Sequence, residues 1–334
     1  MKKILLLLAF VSSLLYGQDV TKVGTTAAKF LAMPIGPRAT GLGGAFVSIA
    51  DDPTAMYWNA AGIAKLSQNE LVFDHTAWFA DIGLDYFGIV LPMGVYGSVG
   101  ANITRVNFGD MDVTTEDNPE GTGETFNASS YSFGISYARN LTEWFAIGTN
   151  VKYVTERIWH ESANGVAVDI GTIFTTPFRG IRLGASISNF GSKMQMGGQD
   201  LLVQKRIVDQ YGTNPATNAY LATDQFDLPL ALHIGISNEL IQNDDQQLTV
   251  AIDAVHPNDN SESLDLGAEY MVFNKMLAIR GGYRSLFLKD SAERFTLGGG
   301  LNHQFDNLHL KIDYSYEAYD RFSGVHKFSI GILF

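Results

Sequence analysis

The 334-residue sequence contains no cysteine, which excludes disulfides, thiolate nucleophiles, Cys-ligated zinc, iron–sulfur clusters and a lipidated N-terminal cysteine. Charge is also scarce: Asp, Glu, Lys and Arg make up 17% of the chain, against ~25% in ordinary soluble domains. What charge there is leans negative, with 23 Lys and Arg against 35 Asp and Glu and a formal net charge of −12. No basic footprint is available to neutralise phosphates, so no nucleic-acid partner is expected. Missing as well are the several apolar runs of ~20 residues that a bundle of membrane helices requires. Present instead are 34 Gly, 12% aromatic and 46% hydrophobic residues, at a mean hydropathy of only +0.03. That mixture excludes a disordered chain. The length allows two ordinary domains or one large closed sheet.

Lys2 and Lys3 precede an apolar run over Ile4–Val11, continued by Leu14 and Leu15 and followed by Gly17 and Gln18. This is the charged, apolar and small-residue order of a secretory signal over residues 1–17. Its ~12 apolar positions are too few for a spanning helix. Tyr16 is large for the position before Gly17, so the cut is placed only near Gly17–Gln18.

From about Asn69 onward the dominant period is two. Leu308, Leu310, Ile312, Tyr314 and Tyr316 alternate with His309, Lys311, Asp313 and Ser315, and Phe328, Ile330, Ile332 and Phe334 alternate with Lys327, Ser329 and Gly331. About fourteen such runs start near residues 70, 82, 95, 128, 143, 163, 179, 226, 246, 261, 275, 292, 308 and 324. Their length, near ~10–13 residues, suits a tilted bilayer crossing better than a soluble strand. With Phe334 on the periplasmic side, short linkers such as Pro92–Gly94, Arg139–Thr142 and Phe273–Asn274 alternate with longer ones such as Asn107–Asn127, Arg157–Ser162 and Gly191–Gln225. Aromatics gather at both ends: Trp144, Phe178, Phe273, Phe305 and Phe334 on one side, Phe108, Trp159, Phe190, Phe287 and Tyr319 on the other. These features predict an all-β, 14-stranded antiparallel transmembrane barrel in the outer membrane of a Gram-negative bacterium, residues 69–334. A large soluble β-sandwich would also alternate, but with shorter strands and Lys or Glu on its second face. Here that face is rich in Gly, Ser and Asn, with the charges Asp169, Arg182, Asp253, Asp265, Glu269, Arg280, Lys311 and Asp313. The reading places these in a lumen.

Residues 18–68 break the period. Thr25–Met33 reads as a short helix ended by Pro34, Gly36–Phe46 as a Gly-rich turn region, Asp51-Asp52-Pro53 as a helix cap, and Asn59 as the cap of a further turn through Ala64. So many small and apolar positions with little charge should be buried, and the barrel interior is the available place. The segment is expected to be a plug, with Arg38, Gly41, Gly43, Gly44, Asp51, Asp52, Trp58 and Asn59 as its plugging or gating residues. The runs Phe30-Leu31-x-x-Pro34-Ile35-Gly36-x-Arg38-Ala39-x-Gly41-Leu42-Gly43-Gly44-Ala45-Phe46-Val47 and Ala50-Asp51-Asp52-Pro53-x-Ala55-x-Tyr57-Trp58-Asn59-x-Ala61-Gly62 resemble the PorV/PorQ family of outer-membrane barrels, related to FadL-like fatty-acid transporters. One departure is Asn59-Ala60-Ala61-Gly62, where such proteins usually have Asn-Pro-Ala-Gly. The resemblance implies a plugged 14-stranded barrel. In the PorV branch it implies type IX secretion, with exported polypeptides received by their C-terminal domains. In the FadL branch it implies passage of hydrophobic small molecules.

Catalytic signals are weak. Gly41-Leu42-Gly43-Gly44 lacks the Gly-Lys-Ser/Thr and the flanking strand and helix of a nucleotide loop, and close packing explains its glycines better. Asp51 and Asp52 suit a cap better than a cation site or an acid/base pair, and Arg38 should pair with one of them or with a lumen acid. The seven His residues show no metal-ligand spacing, and no Gly-x-Ser-x-Gly elbow occurs. No enzyme activity, metal or cofactor is expected. In Gly191–Gln225, residues 200–208 suggest a short amphipathic helix; Met194, Met196, Leu201 and Leu202 are offered either to a partner or to a lid on the barrel's own mouth. The acidic loop Asn107–Asn127 reads as solvated, with loose divalent-cation binding as the alternative. Expected partners are outer-membrane lipid, the barrel-insertion machinery that reads the terminal Phe334, and either secreted C-terminal domains with other secretion components or a hydrophobic small ligand.

Overall fold

The computed structural model describes residues 22–206, 216–289, 291–305 and 308–334. The proposed signal, residues 1–17, lies outside them. Among the described residues fourteen long strands form one antiparallel ring: β1 Glu70–Ala77, β2 Gly83–Pro92, β3 Ser98–Asp112, β4 Thr125–Asn140, β5 Phe145–Ile158, β6 Glu161–Thr175, β7 Arg182–Gly191, β8 Ala231–Gln242, β9 Gln247–Pro257, β10 Ser263–Val272, β11 Leu277–Leu286, β12 Glu293–Phe305, β13 Leu308–Tyr319 and β14 Val325–Leu333. Each strand pairs with its sequence neighbour, and β1 closes on β14 with Glu70 opposite Leu333. Closure leaves no unpaired edge, which is the condition for a sheet in a hydrocarbon solvent. No helix among the described residues is long and apolar enough to cross a membrane, a fact that says nothing against crossing by strands.

Alternation fixes which way each side chain points. Phe73, Ile103, Ile135, Ile170, Ile252 and Ile330 are exposed on the outside. Their strand neighbours Asp74, Asn102, Ser136, Asp169, Asp253 and Ser329 are buried inside. The aromatics Trp144, Phe178, Phe273, Phe305 and Phe334 stand exposed at one end of the ring, and Phe108, Trp159, Phe190 and Phe287 at the other. An apolar outer belt with aromatic rims over a polar interior is the membrane-barrel pattern.

Two expectations about connections fail. The β5–β6 link is a two-residue hairpin, Trp159–His160, with Trp159 at φ 50°, rather than the longer 157–162 loop. Ladder pairing from Ile158 opposite Glu161 runs to the tip, because both strands continue past the membrane belt. The 200–208 segment is not helical where described. A 3-10 turn, Gln199–Leu201, leads into Leu202–Lys205, which pairs with Thr217–Tyr220 as a small hairpin. Leu202, Val203, Gln204 and Lys205 show neither a clear helical nor a clear strand period, and the partner strand decides. The remainder of that expected helix falls outside the described residues.

Candidate functional site: the barrel lumen

Residues 26–66 run inside the ring, from the loop end to the short-turn end. At the loop end Ala27 N donates to Asp227 O (2.9 Å), and at the other end Asn140 Nδ2 donates to Ala64 O (2.9 Å). Between Pro34 and Ile63 every residue is buried except Arg38, Asp51 and Tyr57, which are half-buried. The local structure is short: a 3-10 turn at Lys29–Ala32, helical turns at Pro37–Gly41 and Ala55–Trp58, and a 3-10 stretch at Ala60–Lys65. The helix expected over Thr25–Met33 is therefore reduced to its last turn; Ala28 precedes it in the left-handed region (φ 49°).

Such irregular backbone must have its polar groups answered by the wall. Asp253 Oδ2 accepts from both Phe46 N and Val47 N (2.8 Å each). Asn59 Nδ2 donates to Val47 O (2.7 Å) and Thr172 O (3.0 Å), while its Oδ1 accepts from Ala61 N (3.2 Å) and caps the 3-10 stretch as expected. Tyr86 Oη donates to Pro53 O (2.9 Å), Thr296 Oγ1 to Gly41 O (3.1 Å) and Lys327 Nζ to Pro34 O (2.6 Å). Within the insert, Trp58 Nε1 donates to Ile35 O (3.1 Å) and its ring meets Phe46 edge-on.

The insert lies against the wall where the wall has no side chains. A Cβ on Gly148 would stand 2.4 Å from Ala60 C, on Gly184 2.4 Å from Val47 O, on Gly267 2.3 Å from Leu42 O, and on Gly282 2.3 Å from Gly43 N. The insert answers in kind. Gly43 (φ 67°) would place a Cβ 2.6 Å from Leu266 O, and Gly44 (φ 87°) 3.0 Å from Asp265 Oδ2. Gly41 packs on Gly298.

Charge is organised around Arg38, which reaches Asp51 (2.5 Å), Asp52 (3.2 Å) and Glu269 (3.2 Å). Arg280 continues the chain, meeting Glu269 (2.6 Å) and Asp313 (2.5 Å). Burial alone would raise the Asp51 carboxyl, but Arg38 outweighs it and holds the group down at about 2. The expected pairing of Arg38 with a neighbour or a lumen acid is thus met on both counts. The expected cap is met only in part: Asp52 Oδ1 accepts from Thr54 N (2.9 Å) and Thr54 Oγ1, but the helical turn begins at Ala55 without a side-chain cap.

The other nominated lumen residues make contacts of their own. Asp169 meets Lys152 (2.8 Å) and accepts from Asn189 N (2.7 Å), at a bulge where β6 and β7 shift register. Arg182 pairs with Glu239 (2.7 Å) and Lys311 with Glu70 (2.7 Å), while Asp265 accepts from Ser285 N (2.8 Å). Met194, nominated for an outer partner, is 1% exposed and packs inside the mouth, with Met196 beside it. That pair packs against the barrel's own mouth, because the loop folds back through pairing of Met194 and Gln195 with Phe226 and Gln225. Leu202 stays exposed, and Leu201 is half-buried.

A separate apolar cluster lies above Tyr57. Leu84, Val106, Val154, Ala163, Ala167 and Leu228 line an apolar chamber near the loop end, into which the insert places Phe30 and Leu31. Sequence reasoning did not single out this chamber, the glycine seats, Lys152, Tyr86 or Lys327. Inward parity on successive strands was the available signal for the glycines.

A model described as "Uncharacterised protein family (UPF0164)" matches residues 8–199, more than half the sequence. The chain belongs to that family. No curated protein matches it. Among solved structures, this UPF0164 member is similar to the toluene transporter TbuX of Ralstonia pickettii, at 13% identity and a TM-score of 0.56, covering 90% of this chain and 97% of TbuX. It is similar to the Pseudomonas putida toluene transporter TodX at 14% and 0.55, covering 88% and 95%. It is also similar to a Pseudomonas aeruginosa FadL homologue at 12% and 0.53, covering 89% and 97%. At such identities the likeness establishes a shared FadL-like barrel fold.

Proposed function

We propose that this UPF0164 protein is a non-enzymatic outer-membrane barrel that carries hydrophobic small molecules inward through its lumen. The observation that carries this reading is the apolar chamber at the loop end, filled by Phe30 and Leu31 of the chain's own insert. A hydrophobe entering there would replace contacts that the insert now makes. TbuX and TodX, called toluene transporters, share the fold. The test is uptake of the neutral fluorophore diphenylhexatriene by cells with an intact lipopolysaccharide layer. Expression should accelerate uptake, and the double variant Ala163→Trp, Ala167→Trp, which fills the chamber, should abolish the gain. Equal rates with and without the protein would overturn the reading.

A second reading, binding of exported polypeptides in the manner of the PorV branch, draws support from the hairpin Leu202–Lys205 and Thr217–Tyr220 and its exposed Leu202, Tyr220 and Leu221. Co-purification of secreted proteins sharing a C-terminal domain, with no effect on fluorophore uptake, would favour it.

A further inference from the structure

The insert does more at the chamber than fill it with hydrocarbon. Lys29 Nζ sits 2.6 Å from Asp259 Oδ2, which also accepts from Thr26 Oγ1 (2.7 Å). The Asp259 side chain is 1% exposed, and among the described residues its Oδ1 has no hydrogen-bond partner. Across the mouth, Glu156 Oε2 accepts from Ala28 N (3.0 Å). One turn on, Phe30 and Leu31 enter the apolar chamber. The seated segment is thus an ammonium and N–H donors at one end and an apolar body at the other. Lys152 is paired with Asp169 and Lys327 with Glu317, while Arg284 lies deeper, 3.5 Å from Glu293 and 3.8 Å from Glu317, with its Nη1 without a hydrogen bond among the described residues. At the Asp259 end an incoming carboxylate therefore meets two carboxylates, whereas an ammonium meets a buried carboxylate with an unanswered oxygen. Ala28, a non-glycine residue in the left-handed region (φ 49°), marks the strained joint at which the segment would lift.

We propose that Asp259 and the apolar chamber form a binding site for an amphiphilic amine, a primary ammonium on an apolar tail, and that Thr26–Leu31 occupies it as a built-in mimic of that ligand. The inference rests on the chamber being the hydrophobe's route and adds the polar end of the molecule it takes.

The experiment measures equilibrium binding of radiolabelled dodecylamine, dodecanol and dodecanoate at pH 7. It uses the protein in phosphatidylcholine nanodiscs, with empty discs subtracted. Wild type should bind dodecylamine about tenfold or more tighter than the other two, the worth of a charge-assisted contact. Asp259→Asn should bring the amine to the level of the alcohol, with dodecanol binding kept or raised because the substitution also loosens the Lys29 anchor; loss of dodecanol binding would report a misfolded variant, which far-ultraviolet circular dichroism checks independently. Lys29→Ala, which removes the competing ammonium, should tighten the amine severalfold. Equal binding of amine and alcohol by wild type, or an amine preference that survives Asp259→Asn, would overturn the amine site and leave the chamber reading standing. Binding of none of the three would overturn both.

Discussion

Arg38 is one guanidinium answering three carboxylates, and two of them belong to its own segment. Asp51 and Asp52 turn that segment back on itself, while Glu269 fixes it to β10. Glu269 keeps Arg280 if Arg38 is lost, whereas Asp51 keeps only the weaker pull of Arg182 and Lys65. Removing the guanidinium from a buried network should cost about 3–5 kcal/mol, mostly from the charges left behind. Arg38→Met is therefore expected to lower the temperature at which the purified barrel unfolds and to produce bursts of ion conductance in planar bilayers. Arg38→Met combined with Asp51→Asn should recover part of the loss, since the two share one interaction. The acid limit follows from the Asp51 value of about 2. Its pKa is depressed below an unfolded value of about 3.9, so its contribution is complete above pH ~4 and fades only as pH falls toward 2. The gap in unfolding temperature between wild type and Asp51→Asn should accordingly stay constant from pH 8 to about pH 5 and close only as pH falls toward 2, and a gap already closed at pH 5 would show that this pair does not hold the segment.

The strands were the most legible elements. Period-two alternation placed all fourteen, with starts within five residues of those observed, because burial inside and exposure outside act on every second residue. The insert was legible as buried and small-residue, and Asn59 as a cap, since those properties are local. The partners were not. That Asp253 receives Phe46 N and Val47 N depends on strands more than 200 residues away along the chain, as the separations of 207 and 206 show. The glycine seats were missed for a similar reason: one glycine in a strand is ambiguous, and only the ring aligns several against the same backbone. This yields a matched pair of tests. Gly267 and Gly281 both lie in the wall, but a Cβ on Gly267 would stand 2.3 Å from Leu42 O, and a Cβ on Gly281 meets nothing within 4 Å. Gly267→Val should therefore dislodge the insert and open a steady conductance while the barrel still inserts. Gly281→Val should behave as wild type. If both variants stay closed, the insert is not held by close backbone contact.

At the scale of the whole molecule the lumen is divided in two along its axis. The half nearer the loop end holds residues 26–31 by an apolar cluster, one buried carboxylate and a few hydrogen bonds. The half nearer the short turns holds residues 36–65 by the Arg38 network, Asp253, Asn59 and the glycine seats. Burial of Leu42, Phe46, Ile49, Met56 and Ile63 adds to that grip, at ~1.5–3 kcal/mol each. The two halves should then fail independently. Deleting residues 22–32 should empty the chamber and raise binding of a neutral alcohol, yet leave ion conductance near the wild-type level, because the lower half still seals. Deleting residues 22–65 should leave a ring of fourteen strands wide enough for a water-filled channel and conduct steadily. Planar-bilayer recordings of the two deletions, alongside dodecanol binding, separate the cases. Steady conductance from the short deletion would mean that the seal is at the chamber itself, and a closed long deletion would mean that the strands and loops close the barrel without the insert.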